Sequence, residues 1–403
     1  MRIFLLFFLF LGFSAEAARG KTGKKKKRAA PVSFRPATAA IEQENSPEFR
    51  LFLKRLQLLK SGRGKESLLI IGDSHNQCED FGQSLAGYLR DSAGIPISGR
   101  NYAFPYPLAR TSHRSRMQYQ CRKSDWEGCR ITSPAASCFW GVCGWLASSA
   151  SDSLEFSWKP GEDAFRKGDG LGLFCPASSA ASYRVFCEEN GQFQEAIYQD
   201  SLSGFYFRIN EDASGLRWKA VRRDTGEKFM VQGFFREPSQ NGLSIGISGT
   251  NGARLDHYLL GPDFEKQLKS LQPGLIILAL GTNDAFAADF DPEKTRQHLG
   301  LLLARIKMVL PESALLLAGP PDHCRSRGRP NPNTEKVNQL FSEAGESLEI
   351  PFWNQQKAMG GRGSILAWRR KKLATTDLVH FTPEGYAWQA RLLGRSLRAL
   401  LSP

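Results

Sequence analysis

The N-terminus of this 403-residue chain lacks an apolar run long enough to cross a bilayer comfortably. Arg2 precedes an apolar segment from Ile3 to Phe13, and small residues follow at Ala15 and Ala17, which is typical of a secretory signal peptide. Because no cysteine follows the apolar segment, a lipoprotein is not indicated. The sequence predicts cleavage after Ala17, a periplasmic or secreted mature protein, and no transmembrane span after cleavage.

Metal-site patterns are missing as well. The chain has eight cysteines, but no histidine pair stands among them at a spacing typical of zinc sites. In an exported protein an even number of cysteines favours disulfides, and a bridge between Cys78 and Cys324 is one candidate. The other six crowd one segment and their pairing stays open: Cys121, Cys129, Cys138, Cys143, Cys175 and Cys187. We predict no metal and no cofactor.

Acidic residues are fewer than basic ones, and the formal net charge is +14. Part of the excess lies in an uninterrupted basic run from Lys24 to Arg28. This run predicts contact with an anionic surface, and for an exported protein the partners would be cell-wall glycan or anionic lipid rather than nucleic acid. A solvated basic linker after the cleavage site is an equally good interpretation.

The content of 41% hydrophobic and 11% aromatic residues excludes a wholly disordered chain. Residues 1–17 read as the signal peptide and residues 18–45 as a flexible basic arm. A helix is predicted to begin at Ser46-Pro47-Glu48, and helix and strand patterns alternate over 46–101 and again over 242–403. Residues 102–241 instead show short alternating runs typical of antiparallel strands. We therefore predict a three-layer α/β domain split by an inserted β domain.

A strand end carries the strongest functional pattern. The apolar run from Leu68 to Ile71 is followed directly by Gly72-Asp73-Ser74-His75. Catalytic groups of α/β sheets stand just beyond the carboxyl ends of parallel strands. Ser74 is therefore a candidate nucleophile, and His75 beside it could contact substrate or simply pack against its neighbours.

Two other patterns supply the remaining groups that a serine hydrolase needs. Asp377 precedes His380 by three residues in a predicted loop, so its carboxylate can orient the imidazole towards Ser74. Asn283 follows another strand and offers amide protons to an oxyanion. A backbone amide of Gly252 is the preferred third donor. Gly249 is the competing candidate for that role.

These motifs resemble those of the SGNH (GDSL-type) hydrolases, whose blocks match Gly72 to Ser74, Gly249 to Ala253, Gly281 to Asn283, and Asp377 to His380. The resemblance implies a flavodoxin-like α/β/α sandwich, here interrupted by an inserted β-sandwich. It also implies a carboxylic ester hydrolase. Ser74, His380 and Asp377 would be its triad, and Ser74, Gly252 and Asn283 would form its oxyanion hole.

Narrower features are similar to the peptidoglycan O-acetylesterases of Gram-negative periplasms, which carry an inserted domain like a carbohydrate-binding module. The implied substrate is the acetyl ester on the C6 hydroxyl of N-acetylmuramic acid in peptidoglycan, or a related glycan. Tryptophans of the insert could stack on sugars, although core positions are the more frequent role for such residues: Trp126, Trp140, Trp145 and Trp158. An O-acetyltransferase with the same triad and a non-catalytic wall-binding protein stay open as alternatives.

Overall fold

The computed structural model describes residues 33–111, 117–133, 138–159, 164–223, 226–326 and 328–401. The predicted signal peptide and the basic run from Lys24 to Arg28 lie outside these residues. In the described part, strands and helices alternate near both ends, whereas the middle is almost entirely β-structure.

The strands of the described part are, in chain order, β1 (Ile41–Glu42), β2 (Lys65–Gly72), β3 (Ile97–Gly99), β4 (Tyr102–Ala103), β5 (Gln118–Cys121), β6 (Glu127–Arg130), β7 (Trp145–Ser149), β8 (Ser153–Lys159), β9 (Gly170–Phe174), β10 (Tyr183–Glu189), β11 (Gln192–Gln199), β12 (Gly204–Arg208), β13 (Leu216–Arg222), β14 (Phe229–Val231), β15 (Gly233–Glu237), β16 (Gly242–Gly249), β17 (Leu275–Ala279), β18 (Ala314–Ala318), β19 (Cys324–Ser326), β20 (Arg329–Pro330) and β21 (Phe352–Trp353).

The α-helices of the same residues are α1 (Pro47–Leu59), α2 (Ser74–Gln77), α3 (Asp80–Ala93), α4 (Ala177–Ser182), α5 (Phe264–Leu271), α6 (Thr282–Phe286), α7 (Pro292–Val309), α8 (Asn333–Leu348), α9 (Gln355–Met359), α10 (Ser364–Arg370) and α11 (Pro383–Leu400). Helices α7 and α11 both begin with proline and have a side-chain cap, from Asp291 and Thr382 respectively. Helix α1 also begins with proline, but the Ser46 hydroxyl donates to the Glu48 carboxylate and caps no amide.

Seven strands of the described residues form a mixed sheet in the order β1-β21-β18-β17-β2-β16-β3. All neighbours are parallel except β1, which runs antiparallel to β21 at one edge. Side chains alternate across the central strand β2: Leu68 and Ile70 enter the apolar cluster on one face, and Leu69 and Ile71 enter the cluster on the other. The sheet is therefore buried on both faces, as parallel sheets require.

The register of the central strands places their carboxyl ends side by side. Gly72 at the end of β2 is the Cα partner of Gly249 in β16 and of Ala279 in β17. The loops that leave these strands consequently start at the same height on one rim of the sheet. This is the edge at which α/β folds hold their ligands.

The middle of the chain forms two antiparallel sheets. Nine strands pair in the order β4-β15-β9-β12-β11-β10-β13-β8-β5, and three pair in the order β14-β7-β6. Large aromatic side chains fill the core of this region, including Trp158 and Phe234 at 4.8 Å between ring centroids. The same apolar cluster continues into one face of the parallel sheet through Leu69 and Ile71. The β-rich region therefore covers part of that face.

The four tryptophans considered for sugar stacking are buried. Trp126 and Trp158 are 1% exposed, and Trp140 and Trp145 are 5% exposed; Trp140 lies in a smaller apolar cluster beside the main one. Their faces are covered by protein, which confirms the core role expected as the more frequent one and excludes the alternative of sugar stacking.

The arm predicted over 18–45 is too long at its C-terminal end. Ile41–Glu42 forms strand β1 and pairs with β21, and the side chains of Ala39 and Ile41 are buried. The Phe34 ring lies 5.8 Å from that of Trp368. These apolar side chains gain buried area against the domain, which a charge-based reading of the arm misses.

One disulfide lies within the described residues, between Cys129 and Cys138. Cys324 is a buried thiol, so the predicted bridge from Cys78 to Cys324 is wrong. Across the described ranges, no helix is both long and apolar enough to span a membrane. In the same ranges, no cluster of three histidine, cysteine or acidic residues could hold a metal ion.

A buried ion pair fastens the last strand of the β-rich region. Asp169 Oδ2 lies 2.6 Å from Arg236 Nη2, with the two side chains 0% and 3% exposed. Asp169 also accepts the amides of Arg166 and Ser239, at 2.8 and 2.7 Å. Its carboxylate thus joins the start of β9 to the end of β15.

We expect Asp169→Asn to lower the free energy of unfolding by about 3–5 kcal/mol, because a buried guanidinium loses its carboxylate. Urea unfolding measures this loss. The matched control is Asp212→Asn, which removes an exposed pair with Arg166 and should change stability far less. Equal losses in the two variants would contradict the expected role of burial.

Candidate active site

The nucleophile candidate stands at a sharp strand-to-helix turn. Strand β2 ends at Gly72, and helix α2 begins at Ser74 with Asp73 as its cap, whose Oδ1 accepts the His75 amide at 3.0 Å. A Cβ on Gly72 would lie 2.1 Å from Asn76 Nδ2 and 2.8 Å from the Ala279 carbonyl oxygen. The close packing behind Ser74 therefore requires a glycine at position 72.

The structure brings together the three side chains predicted as a triad. Ser74 Oγ lies 2.8 Å from His380 Nε2, and His380 Nδ1 lies 2.8 Å from Asp377 Oδ2. The side chains of His380 and Asp377 are 39% and 49% exposed, and Ser74 is half-buried. The three residues thus form a continuous hydrogen-bonded chain on an open surface.

Asp377 is held by more than the histidine. Its Oδ1 accepts hydrogen bonds from the Thr375 hydroxyl at 2.6 Å and from the amides of Val379 and His380 at 2.9 and 3.0 Å. Partial burial raises the pKa of Asp377, but these hydrogen bonds outweigh burial and hold the pKa well below its usual value. The carboxylate is ionised, so His380 Nδ1 carries the proton and Nε2 is left to accept from Ser74.

Leu378, between the two triad members, adopts a φ of +58° that side chains seldom accept. Its carbonyl accepts the Cys324 amide at 2.9 Å, and its amide donates to the Thr375 carbonyl at 3.2 Å. The turn from Asp377 to His380 is therefore fixed at its strained residue from both sides.

The three candidate oxyanion donors lie at the rim but differ in how free they are. Within the described residues, the amides of Ser74 and Gly252 donate no hydrogen bond. Asn283 Nδ2 donates to the Ala253 carbonyl at 2.9 Å and weakly to Asp73 Oδ2 at 3.3 Å. An incoming oxyanion would replace the longer of these two contacts.

The two glycines of the glycine block occupy different surroundings. Gly252 is exposed, has a φ of +78°, and would place a Cβ no closer than 3.9 Å to the Thr132 side chain. Gly249 is buried, and a Cβ there would lie 2.4 Å from the Gln77 amide nitrogen. Geometry thus favours Gly252 over Gly249 as a donor that a substrate could reach.

The β-rich region supports the glycine block from behind. The Tyr106 hydroxyl donates to the Gly249 carbonyl at 2.7 Å, and the Ser248 hydroxyl donates to the Val142 carbonyl at 2.9 Å. Thr250 also donates to the carbonyl of Cys143. These hydrogen bonds are buried. They tie the end of β16, from which the loop carrying Gly252 leaves, to the β-rich region.

His75 does not face a substrate. It is 8% exposed, its Nδ1 lies 3.1 Å from the Tyr386 hydroxyl, and its ring centroid lies 5.3 Å from that of His380. Burial lowers the pKa of His75 well below its ordinary value, so the ring is neutral. Of the two roles open for His75, the structure supports packing and not a substrate contact, because the helical turn after Ser74 directs His75 into the core next to His380.

Two buried carboxyl groups flank Asn283. Burial raises the pKa of Asp73 to about 6 and that of Asp284 to about 7. Asp284 Oδ1 accepts the Leu255 amide at 3.2 Å, while its Oδ2 is buried without a hydrogen-bond partner.

Sequence reasoning missed several supporting residues. Thr375 holds Asp377, Tyr386 holds His75, and Gln77 Oε1 accepts the Asn251 amide at 2.8 Å. A hydroxyl residue two positions before Asp377 is the only local signal among these three. The other two contacts join residues that are distant in sequence.

The family model described as GDSL-like lipase/acylhydrolase matches residues 216–388. A solved peptidoglycan O-acetylesterase is similar in structure over 87% of this chain and 95% of its own, with a TM-score of 0.69 and 23% sequence identity. An acetylxylan esterase from Geobacillus stearothermophilus matches 39% of this chain and 73% of its own, with 16% identity and a TM-score of 0.31. No curated protein matches the sequence significantly.

The resemblance to GDSL-type hydrolases predicted from the sequence is therefore confirmed, and the chain is a carboxylic ester hydrolase with a mixed α/β fold. At 23% identity, the peptidoglycan O-acetylesterase shows a shared fold.

Removing the Thr375 hydroxyl should loosen the triad without touching its members. We expect Thr375→Val to lower kcat for p-nitrophenyl acetate at least about tenfold, since a hydrogen bond to a charged group is worth about 1.5–3 kcal/mol. Thr375→Ser keeps the hydroxyl and should retain most of the activity. Equal rates in the valine and serine variants would contradict this role.

The buried Asp284 carboxyl predicts a pH-dependent stability. Its folded-state pKa of about 7 lies above the value of about 3.9 expected in the unfolded chain, so stability is lost as pH rises between these values. Asp284→Asn removes this titration. Relative to the wild type, the variant should gain on the order of a few kcal/mol between pH 4 and 8 in urea unfolding. A difference that stays constant with pH would contradict the raised pKa.

Proposed function

We propose that this chain is an exported serine esterase that removes O-acetyl groups from a cell-wall glycan, with the acetyl ester on C6 of N-acetylmuramic acid in peptidoglycan as its substrate. The observation that carries the proposal is the hydrogen-bonded chain from Ser74 through His380 to Asp377 on an exposed rim. The shared fold with a peptidoglycan O-acetylesterase supports the substrate.

In the first step, Ser74 Oγ attacks the acetyl carbonyl and passes its proton to His380 Nε2. Asp377 stabilises the imidazolium through Nδ1, at 2.8 Å. The amides of Ser74 and Gly252 and the Asn283 side chain donate to the oxyanion. The proton on Nε2 then moves to the sugar oxygen, which leaves as an alcohol, and acetyl stays on Ser74.

In the second step, a water molecule gives its proton to His380 Nε2 and attacks the acetyl-Ser74 carbonyl. Collapse of the second oxyanion releases acetate and restores the Ser74 hydroxyl. With His380 39% exposed, water has open access to the intermediate. This access favours hydrolysis over acetyl transfer to a second sugar.

The exposure of the triad side chains indicates that a large substrate can reach Ser74. The triad lies on an open surface, so a polymer can approach without threading into a deep cavity. An acetyl group is small and offers little apolar area for binding. Binding energy must then come from the glycan on either side of the ester.

We further propose that the parallel sheet and its helices form the flavodoxin-like sandwich of the family, with residues 46–101 and 242–403 as its two parts and residues 102–241 as an inserted β-sandwich. The insert supports the glycine block through Tyr106 and the backbone at Val142. The Cys129–Cys138 disulfide is in keeping with export to an oxidising compartment. Export itself rests on the N-terminal sequence pattern.

Acetate release from O-acetylated peptidoglycan tests the proposal directly. We expect the wild type to release acetate faster from this polymer than from acetylated xylan. Ser74→Ala should lower the rate about 10⁴-fold or more, because the variant cannot form the acetyl-enzyme. Ser347→Ala, at an exposed position of α8, is the matched control and should be fully active.

Three outcomes would contradict parts of this proposal. Hydrolysis of p-nitrophenyl acetate that survives Ser74→Ala would refute the nucleophile. Acetyl recovered on an acceptor glycan instead of as acetate would favour an O-acetyltransferase. Binding to insoluble peptidoglycan with no release of acetate would favour a non-catalytic wall-binding protein.

A further inference from the structure

A cavity of about 400 Å³ lies beside the oxyanion residues and takes no part in the mechanism above. Its position follows from two consecutive residues of α6. Asn283 bonds to Ala253 on the side of Ser74, whereas Asp284 bonds to Leu255 and lines the cavity. The cavity therefore borders the same short helix that carries the candidate oxyanion donor Asn283.

The accessible part of the lining offers hydrogen-bond acceptors. The exposed Asp289 presents carboxylate oxygens that can accept from sugar hydroxyls. Asp284 is only 5% exposed, and its Oδ2 is buried out of reach of a ligand. The volume also falls in the range of pockets that bind small ligands, about 300–1,000 Å³.

The rest of the lining combines one aromatic ring with acidic and basic side chains. Phe290 is half-buried and offers an apolar surface, and Asp289 is exposed at the rim. Such a mixture of an aromatic ring with hydrogen-bonding groups suits a sugar, which has both apolar and hydroxyl faces.

Charge decides which sugar fits. The lining contains four aspartates against Arg254, Lys294 and His298. Arg254 is already paired with Asp256 through two contacts of 3.1 and 2.8 Å, so it is not available to an anion. Asp256 is likewise compensated by Arg254, and Asp284 is buried, which leaves the more accessible Asp289 and Asp291 against Lys294. A carboxylate entering the cavity would meet this excess of acidic groups, whereas a neutral ring would not.

We propose that this cavity, lined by Asp284, Asp289 and Phe290, is a subsite for a neutral sugar ring adjacent to the acetylated residue of the glycan. The inference rests on the proposed glycan esterase function and adds to it. The subsite binds the polymer while the ester lies at Ser74. It therefore contributes to turnover of the glycan and not to turnover of small acetyl esters.

A blocking variant tests the subsite with little risk to the fold. Asp289→Trp places a large side chain at the exposed rim of the cavity. We expect it to lower kcat/KM for O-acetylated peptidoglycan about tenfold, the effect of losing one or two hydrogen bonds. Turnover of p-nitrophenyl acetate should not change. Glu346→Trp, on the exposed face of α8, is the matched control and should leave both rates unchanged.

Direct binding separates this inference from the esterase proposal. We expect the neutral tetramer of N-acetylglucosamine to bind the wild type about tenfold more tightly than it binds Asp289→Trp, and more tightly than tetragalacturonate binds the wild type, as measured by titration calorimetry. This result would support the subsite even if the wild type released no acetate from peptidoglycan, which would refute only the proposed substrate.

Two results would overturn the inference. One is wild-type activity of Asp289→Trp on peptidoglycan together with unchanged tetramer binding. The other is binding of tetragalacturonate that equals or exceeds that of the neutral tetramer, because the acidic lining excludes it.

Discussion

The candidate active site depends on the register of three parallel strands. Gly72 at the end of β2 lies opposite Gly249 of β16 and Ala279 of β17, so the chain leaves all three strands at one height. Ser74 and Asn283 each follow within a few residues. A shift of one residue in this pairing would turn every side chain of a strand to the opposite face, which the apolar clusters on both faces forbid. Burial of the sheet therefore also sets the spacing of the nucleophile and the oxyanion donors.

The imidazole is positioned in another way, since no strand delivers it to the rim. His380 lies in a turn held by local bonds: its carbonyl accepts the Thr375 amide at 2.9 Å, and the Thr382 cap of α11 follows immediately afterwards. The strained backbone of Leu378 is fastened to Cys324. Packing of the parallel sheet thus positions Ser74, whereas hydrogen bonds within a short segment position His380 and Asp377.

This difference explains how much the sequence could predict. Strand ends and a spacing of three residues are local patterns, so Ser74, Asp377 and His380 could be chosen from the sequence alone. The helix predicted at Ser46-Pro47-Glu48 likewise begins at Pro47. The burial of His75 could not be predicted, because it depends on the packing of Tyr386, which lies 311 positions later in the chain. The core role of the tryptophans in the β-rich region was the more frequent expectation and is confirmed, but the sheets that cover them form by pairing of distant strands and could not be predicted from the sequence.

The β-rich region in the middle of the chain lies where the chain must cross from one parallel strand to the next in any case. Strands β3 and β16 are parallel neighbours, with Ile97 opposite Leu243, and parallel neighbours require a long connection that is usually a helix. Here antiparallel sheets make the crossing, and residues such as Tyr102 and Phe104 share the apolar cluster of the sheet face that a crossover helix would have covered. Because β16 carries the glycine block at its far end, the strand that closes the crossing also reaches the catalytic rim. Packing of the β-rich region is thereby coupled to the loop of Gly252 through strand β16.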